Sequence, residues 1–587
     1  MLKTIRGMYG YTLTSQQDGF EVTFSISRQE NGFEELFVCM DSAEARVPAP
    51  MRLEFSLPIV DVQGCWRPDL GSGCPLPVDW MHPMESKATA MAPVVELFGQ
   101  RYENRLCFAC SDALNIVKYN AGVHEESAEM QVYALLFDAP MAPLSHYEVK
   151  FYIDARPQFY ARALEGVAAW WRENGYEPAG VPESARWPMY SSWYSFHQRL
   201  NPEALERQCA LSAKLGCGAV IVDDGWQTDD NARGFAYCGD WEVCQAKMGD
   251  MRAHVARVHA LGMKYMLWFS VAFVGLKSKA WPVFKDRILE IDHEQGAGIL
   301  DPRYPEVREY LISTYERAMR EWDLDGFKLD FVDSFRQPAQ ENPDAPAGRD
   351  TPSVPEAVDI LLKETLARLR KIKSDVLIEF RQRYTGPAMR SYGNMFRAAD
   401  CPNDRVTNRV RTLNIRLLCE NSAAHADMLM WHEDEPVESA ALQLINVLFA
   451  VPQVSVLLDK LPEAHHKMVE FYLKFWRENR DVLLDGKLKP FAPELAYPLV
   501  KAETQDKLLA VAYADCCLEF EAGEARKILL VNASGRPRLI ADFASDLGAR
   551  EYRVYNCMGE VVESGTLDLK AGVQALKIPE SGIMMIG

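Results

Sequence analysis

Charged side chains follow several short apolar runs in the middle of the chain. They are Asp223 and Asp224 after AVIV, Lys328 and Asp330 in GFKLDF, Glu379, Arg381 and Arg383 in VLIEFRQR, and Asp400 after MFRAA. Carboxylates that converge on one place repel one another unless a ligand or cations satisfy them. For any one of them alone, capping of the next helix explains the residue equally well. Together they predict a polar binding site.

Four tryptophans lie between these charged groups, at Trp193, Trp226, Trp241 and Trp268. Carboxylates accept pairs of hydrogen bonds from hydroxyl groups, and an indole ring covers the apolar C–H face of a pyranose. Acids interleaved with indoles are therefore typical of a carbohydrate site.

Cleavage of a glycosidic bond needs two carboxyl groups that flank it. Asp330 suits the nucleophile, because Lys328 lies two residues earlier on the same strand and faces the same side. A nearby ammonium keeps a carboxylate ionised and can also bind a sugar hydroxyl. The alternative is a structural ion pair inside the fold.

Asp400 suits the acid/base, because it ends an apolar run where partial burial would raise its pKa. The alternative is that Asp400 caps the helix DRVTNRVRTL, although Asn403 and Asp404 are better placed for capping. If Asp400 does not hold the role, Glu379 is the next candidate.

The elements that carry these residues alternate between short apolar runs and long helical patterns. The runs are 188–193, 219–226, 264–271, 298–301, 326–331, 376–382, 395–400, 428–432 and 454–458. Asn201 and Gly216 are the predicted caps of the helix after the first run. About eight β/α units predict a (β/α)8 TIM barrel over residues 156–490, with its site at the carboxyl ends of the strands.

Regions of different texture flank the barrel. Residues 1–155 contain alternating runs separated by turns, which predict an N-terminal β-sandwich. Residues 491–587 return to short strands and predict a small C-terminal antiparallel β-domain. The proline-rich segment 337–357 follows Asp330 in the chain, and long loops in compact domains are often functional.

The 587 residues include 64 Lys and Arg against 83 Asp and Glu, a net charge of −19. This balance argues against nucleic acid or an anionic membrane as a partner and favours a neutral ligand. The N-terminal segment has no apolar core of a secretory signal, and the 14 cysteines are scattered, so we expect a cytoplasmic protein with reduced thiols. Cys107 and Cys110 lie on one predicted strand and face opposite sides, which favours buried cysteines over a zinc half-site.

Two other classes of function compete with a glycosidase. His425, Asp427, His432 and Glu433 could ligate a metal, but they lack a tight motif, and we expect neither a metal nor a cofactor. A non-catalytic carbohydrate-binding barrel is the second alternative. The presence of both Asp330 and Asp400 argues against it.

The segments AVIVDDGWQ, GDW at 239–241, LDPRYPEVREYL and GFKLDF resemble the α-galactosidases of glycoside hydrolase family 36, the melibiases. The resemblance extends to the layout of the whole chain. It implies a retaining exo-α-glycosidase that releases terminal α-galactose from small oligosaccharides by double displacement, and a possible homo-oligomer. It assigns Asp330 as nucleophile and Asp400 as acid/base, and it gives sugar contacts to Asp223, Asp224, Trp241 and Lys328. We also predict sugar contacts for Trp193, Trp268, Arg381 and Arg397. Asp223 and Asp224 match the pair that holds the 4- and 6-hydroxyls.

The sequence departs from the family pattern after the fifth strand. Many relatives carry Cys-Ser-Gly-Gly-Gly-Arg there, near the sugar 2-hydroxyl, whereas this chain has EFRQRYTGPAMRSYG. A second departure is Gln295, near the place where many relatives have an arginine. The group preferred at C2 therefore stays open, and an α-N-acetylgalactosaminidase or a transglycosylating relative is the alternative.

Overall fold

Eight parallel strands form a nearly closed barrel in the computed structural model, which describes residues 1–68, 73–381, 383–522 and 526–587. Gln382, the last residue of one predicted strand, lies outside the described residues. The first seven strands pair in sequence order, and β8 pairs with β1. Single bridges from His425 to Val451 and from Leu429 to Val454 connect the two ends. The barrel strands are β1 (Met189–Ser191), β2 (Ala219–Val222), β3 (Lys264–Ser270), β4 (Gly326–Asp330), β5 (Leu377–Arg381), β6 (Met395–Arg397), β7 (Ala423–His425) and β8 (Gln453–Val454).

The barrel strands are short and almost wholly buried, as expected for parallel strands covered by helices. Their register brings the chemically active side chains into neighbouring positions. Lys328 on β4 pairs with Glu379 on β5, and Arg381 at the end of β5 pairs with Arg397 on β6. The predicted barrel is therefore confirmed.

Helices surround the barrel and connect its strands. Asn201 accepts a 2.8 Å hydrogen bond from the Ala204 N–H at one helix start, and Gly216 ends that helix with a φ of 100°, so both predicted caps are confirmed. The longer helices are Tyr160–Glu173, Pro202–Leu215, Met251–His259, Pro305–Trp322, Val354–Ile372, Pro387–Tyr392, Arg405–Leu418, Val437–Ile445 and Glu463–Glu478. Single-turn segments are Glu183–Arg186, Trp193–Phe196, Gln245–Met248, Trp281–Phe284, Val332–Ser334, Leu458–Lys460, Asp481–Asp485 and Pro493–Leu495.

Two predicted barrel strands are wrong. In the run 428–432, Met428, Leu429 and Trp431 are buried by side-chain packing, and the seventh strand is Ala423–His425 instead. Residues 298–300 belong instead to Ala297–Leu300, the central strand of a separate antiparallel sheet whose other strands are Phe273–Gly275 and Ile288–Asp292. A short apolar run is compatible with a barrel strand and also with another buried segment, so its composition alone does not distinguish the two structures.

Two six-stranded antiparallel sheets form the N-terminal sandwich. Cys107 and Cys110 lie on one strand and enter different apolar clusters, as alternating faces require. One sheet contains Leu2–Arg6, Gly10–Ser15, Met51–Pro58, Met84–Ser86, Val117–His124 and Glu129–Leu136. The other contains Glu21–Glu30, Phe33–Arg46, Gly64–Trp66, Val94–Phe98, Asn104–Cys110 and Leu144–Asp154.

The C-terminal region also has two sheets, but it is not purely antiparallel. Lys507–Ala512 pairs in parallel with Lys527–Asn532, because the strand between them crosses to the other sheet. The larger sheet contains Lys487–Phe491, Leu499–Glu503, Lys507–Ala512, Lys527–Asn532, Gly548–Tyr555, Val561–Leu569 and Ile583–Ile586. The smaller contains Cys517–Phe520, Arg538–Phe543 and Gly572–Lys577, the first two of them also parallel.

One buried hydrogen-bonded junction joins the three regions. The indole N–H of Trp66 in the sandwich lies 3.1 Å from Oδ1 of Asn414, on a barrel helix, and 3.0 Å from the hydroxyl of Tyr497 in the C-terminal region. That hydroxyl donates to Asn414 Oδ1 at 2.6 Å. An apolar cluster around it runs from Phe33 to Ile583. Among the described helices, none has the length and apolar character needed to cross a bilayer.

Candidate active site

Asp330 is the last residue of β4 and lies at the carboxyl end of the barrel. Its Oδ2 accepts a 3.1 Å hydrogen bond from the indole N–H of Trp268. Its Oδ1 accepts from Nε of Arg381 and, at 2.8 Å, from the Phe331 backbone N–H. The Tyr384 hydroxyl lies 3.5 Å from the same oxygen. Donors from three strands and loops thus fix this buried carboxylate.

Cations keep Asp330 ionised despite its burial. Burial by itself raises the pKa of Asp330, but Arg381 and then Lys328 outweigh it and hold the pKa below its ordinary value. Lys328 also forms a buried ion pair with Oδ2 of Asp223. An ionised, oriented carboxylate at the end of a barrel strand has the properties of a nucleophile.

Asp223 and Asp224 follow β2, and both are buried. Asp224 accepts hydrogen bonds from two amides, Gln198 Nε2 at 2.5 Å and Gln227 Nε2 at 2.6 Å. Burial raises the pKa of Asp224 to about 6. Gln198 is not identified as a site residue from the sequence, because Gln198 lies outside the motifs recognised there.

Asp400 lies three residues beyond β6, and its side chain is 47% exposed. Nη2 of Arg397 donates to Asp400 Oδ1 at 2.9 Å. Asp404 accepts from the Thr407 N–H at 3.0 Å and caps the following helix, so capping does not explain Asp400. The carboxylate is therefore free to act at the mouth of the barrel.

The predicted rise in the pKa of Asp400 is wrong for this structure. Burial raises the pKa, but Arg397, Lys328 and Arg381 together hold it well below its ordinary value. The signal was present in the sequence, because Arg397 precedes Asp400 by three residues. These cations thus favour the ionised form of Asp400, in which it can act as a base.

Arg397 lies beneath Asp400 and contacts two further carboxylates. It is only 1% exposed, its Nη1 donates to Asp427 Oδ1, and its Nε is 3.7 Å from Glu379 Oε1. The other oxygen of Asp427 accepts from the Tyr194 hydroxyl at 2.9 Å. Arg397 thus orders the carboxylates below the mouth, and direct sugar contact by Arg397 stays a prediction.

Glu379, the second candidate for the acid/base, is fully buried on β5. Its Oε2 accepts from the side-chain amide of Gln453, and its Oε1 has no hydrogen-bond partner among the described residues. Burial raises the pKa of Glu379 above its ordinary value. The carboxyl group lies inside the barrel, whereas Asp400 lies at its exposed rim.

The tryptophans occupy two different environments. Trp193 opens the short helix after β1 and is half-buried, with its ring 4.7 Å from that of His197. Trp268 and Trp241 are each 1% exposed, and their rings lie 6.1 Å apart. Trp226 packs below them and donates to the Trp268 carbonyl at 2.8 Å. Trp193 alone offers an accessible ring, and sugar contacts by Trp241 and Trp268 stay predictions.

The four residues of the metal alternative do not converge. His425 is buried, with Nε2 2.8 Å from the Ala185 carbonyl and Nδ1 3.2 Å from Gln453 Nε2, and burial lowers its pKa to about 4. His432 is exposed. Within the described residues, the one cluster with metal-ligand spacing is on the sandwich, at Cys39, Asp41 and His146.

Comparisons with known proteins find relatives named α-galactosidase for part of the chain. The Melibiase family model matches residues 183–379, which include Asp223, Asp224, Lys328 and Asp330 but not Asp400. The chain is 25% identical over 153 residues to α-galactosidase Mel36A of Lactobacillus acidophilus, an alignment that covers 24% of this chain and 20% of that protein. It is 25% identical over 151 residues to the bifunctional α-galactosidase/sucrose kinase AgaSK of Mediterraneibacter gnavus, over 24% of this chain and 16% of that protein. The matched segments thus span less than a quarter of these two relatives.

Solved structures share the fold over nearly the whole chain. A variant of the family 36 α-galactosidase AgaA of Geobacillus stearothermophilus, solved with 1-deoxygalactonojirimycin, superposes with a TM-score of 0.62 at 14% identity, over 99% of this chain and 83% of that one. An AgaA variant solved with raffinose gives 0.63 at 14% identity, over 98% and 83%. The predicted fold class and the resemblance to family 36 α-galactosidases are confirmed.

Proposed function

We propose that the protein is a retaining exo-α-galactosidase that releases terminal galactose from small oligosaccharides. The observation that carries the proposal is Asp330, a buried carboxylate kept ionised by Arg381 and Lys328 at the end of β4. The relatives named α-galactosidase and the raffinose complex of a structural neighbour support the substrate class.

In the first step, Asp330 attacks the anomeric carbon and forms a glycosyl ester. The leaving oxygen needs a proton, which we assign to Asp400. Arg397, Lys328 and Arg381 lower its pKa, so a bound sugar must cover the carboxylate and raise the pKa before Asp400 can act as an acid. In the second step, ionised Asp400 activates a water that hydrolyses the ester.

Sugar recognition is assigned to the acids on the opposite side of the barrel. Asp223, paired with Lys328, and Asp224, held by two amides, would accept hydrogen bonds from the 4- and 6-hydroxyls. Trp193 would cover an apolar face of the sugar. Arg381 and Tyr384 lie in the stretch assigned to the sugar 2-hydroxyl. Because this stretch departs from the family pattern, N-acetylgalactosamine, which carries an N-acetyl group at C2, is the alternative substrate.

A screen of aryl α-glycosides tests the function: galactoside, N-acetylgalactosaminide, glucoside and arabinopyranoside. We expect hydrolysis of the galactoside with the α-anomer as first product by NMR. Asp330→Ala should lose several orders of magnitude in turnover and yield a β-galactosyl azide when azide is added. Preference for the N-acetylgalactosaminide would move the substrate to the alternative, and full activity in Asp330→Ala would refute the mechanism.

A non-catalytic barrel predicts binding of galactose without hydrolysis of any of these glycosides. A metal enzyme predicts loss of activity with a chelator. We further propose a cytoplasmic location and a homo-oligomeric state, which fractionation and sedimentation of the native protein would test.

A further inference from the structure

A turn of the N-terminal sandwich lies against the active-site loops. It comprises residues 87–91 and follows the strand Met84–Ser86. The Lys87 N–H donates to the Ala90 carbonyl at 2.9 Å, and the Ala90 N–H returns a bond to Lys87 at 3.0 Å. This sandwich turn therefore has a fixed shape of its own.

The sandwich turn holds the loop that follows the nucleophile strand. The Lys87 ammonium donates to the carbonyl of Asp333 at 2.5 Å and to that of Phe335 at 2.9 Å. Lys87 is only 7% exposed. The loop begins at Phe331, whose φ of 60° is unfavourable for a residue other than glycine, so it needs outside contacts to keep this conformation.

The same turn also holds the loop after β5. The Met91 N–H donates to the Arg383 carbonyl, and a Cβ on Gly386 would lie 2.5 Å from the Met91 carbonyl oxygen. The two loops that follow β4 and β5 are thus fixed by one short segment of another region.

A chain of contacts leads from the sandwich turn to the nucleophile. The Tyr384 hydroxyl donates to Asp333 Oδ1 at 2.6 Å and lies 3.5 Å from Asp330 Oδ1. Lys87 holds the backbone of Asp333, and Asp333 holds Tyr384 against Asp330. We propose that Lys87 is a positioning residue for Asp330, so that the N-terminal sandwich takes part in building the active site. The kinetic part of this inference rests on the proposed function.

The charged groups around Lys87 indicate how the contact responds to pH. Arg336, Asp333, Glu85 and Arg383 face its ammonium and line a cavity of about 330 Å³ beside it. Burial, aided by Arg336, lowers the pKa of Lys87 to about 8. The ammonium is charged below pH 8, and its two hydrogen bonds weaken as pH rises through this value.

The kinetic test uses the full chain with Lys87→Met, and its control is Lys118→Met, a half-buried lysine of the sandwich that forms an ion pair with Asp138. We expect about a 10–100-fold loss in kcat on the aryl galactoside with KM changed less than twofold, since a small misplacement of a reacting group costs this much. Lys118→Met should retain wild-type kcat. Wild-type kcat should fall above pH 8, and in Lys87→Arg the fall should move to higher pH.

Chemical rescue separates charge from packing. Propylammonium, which replaces the missing atoms in Lys87→Ala through the adjacent cavity, should restore part of kcat, and propan-1-ol should not. Unchanged kcat in Lys87→Met, or equal rescue by the alcohol, would overturn the proposal.

Hydrogen exchange tests the contact without any substrate. Amides of residues 331–335 should exchange faster in Lys87→Met than in wild type or Lys118→Met. Unchanged exchange would overturn the positioning role even in an active enzyme. Faster exchange in a protein that hydrolyses no glycoside would support the contact and refute only the proposed function.

Discussion

Arg381 lies in a stretch that departs from the family pattern, and removing its charge should shift the titration of the nucleophile. Its Nε donates to Asp330 Oδ1, and its guanidinium lies 5.1 Å from the Phe331 ring and 5.7 Å from that of Tyr384. We consider Arg381→Met, which keeps an unbranched chain of similar length and removes the charge.

The magnitude follows from the contacts that remain. A hydrogen bond to a charged group is worth about 1.5–3 kcal/mol, which corresponds to about 1–2 pKa units. Lys328, the Trp268 N–H and the Phe331 N–H still stabilise the carboxylate in the variant. We therefore expect the lower end, a rise of about one unit in the pKa of Asp330.

The assay must isolate the attack by Asp330 from the chemistry of Asp400. Inactivation by 5-fluoro-α-galactosyl fluoride does this, because fluoride leaves with little help from an acid and the trapped ester hydrolyses slowly. At saturating reagent, the first-order rate should fall at low pH as Asp330 gains a proton. In Arg381→Met this fall should begin about one pH unit higher.

Arg383→Met is the matched control, because Arg383 lies two residues away and its side chain is exposed. In Arg383→Met the inactivation rate should fall at the same low pH as in the wild type. An acid limb in Arg381→Met within about 0.3 unit of the wild type would refute the assignment of Arg381 as the cation that holds Asp330 ionised.

Three further predictions concern other residues. Asp400→Ala should lose about 10²–10⁴-fold on substrates with poor leaving groups and far less on dinitrophenyl galactoside, with azide giving an α-galactosyl azide; equal losses on both substrates would move the acid/base role elsewhere. Since the pKa of Asp224 is about 6, kcat/KM should fall as pH drops through 6, and Asp224→Asn should lack this limb; a limb that persists in the variant would assign it to another group. Asn201→Ala should lower the free energy of unfolding by about 1 kcal/mol in urea titrations, whereas an unchanged midpoint would mean that the cap contributes nothing.

Much of the barrel could be predicted because buried parallel strands are continuous apolar runs. The seventh strand, Ala423–His425, could not, since three residues that include a histidine give no apolar signal. The parallel pairs of the C-terminal sheets also escaped prediction, because pairing depends on which sheet the intervening strand joins.

Within the site, the sequence indicated the residue types at strand ends but not the partners that set their charge. Asp330 and Lys328 share a strand, so their proximity follows from the period of two. The contact of Arg381 with Asp330 crosses from one strand to its neighbour, and that of Lys87 crosses from another region. Such contacts depend on the assembled fold, which local periodicity does not contain.

Because Trp66, Asn414 and Tyr497 come from three different regions and form one buried junction, replacing any one region with that of another protein would disrupt the junction. A barrel cut free of its neighbours would expose the polar atoms of this junction and the apolar cluster around it. Each region therefore completes its hydrophobic core with side chains from the other two. Changes in the sandwich or the C-terminal sheets must therefore stay compatible with the packing of the barrel, so substitutions in the three regions are not independent of one another.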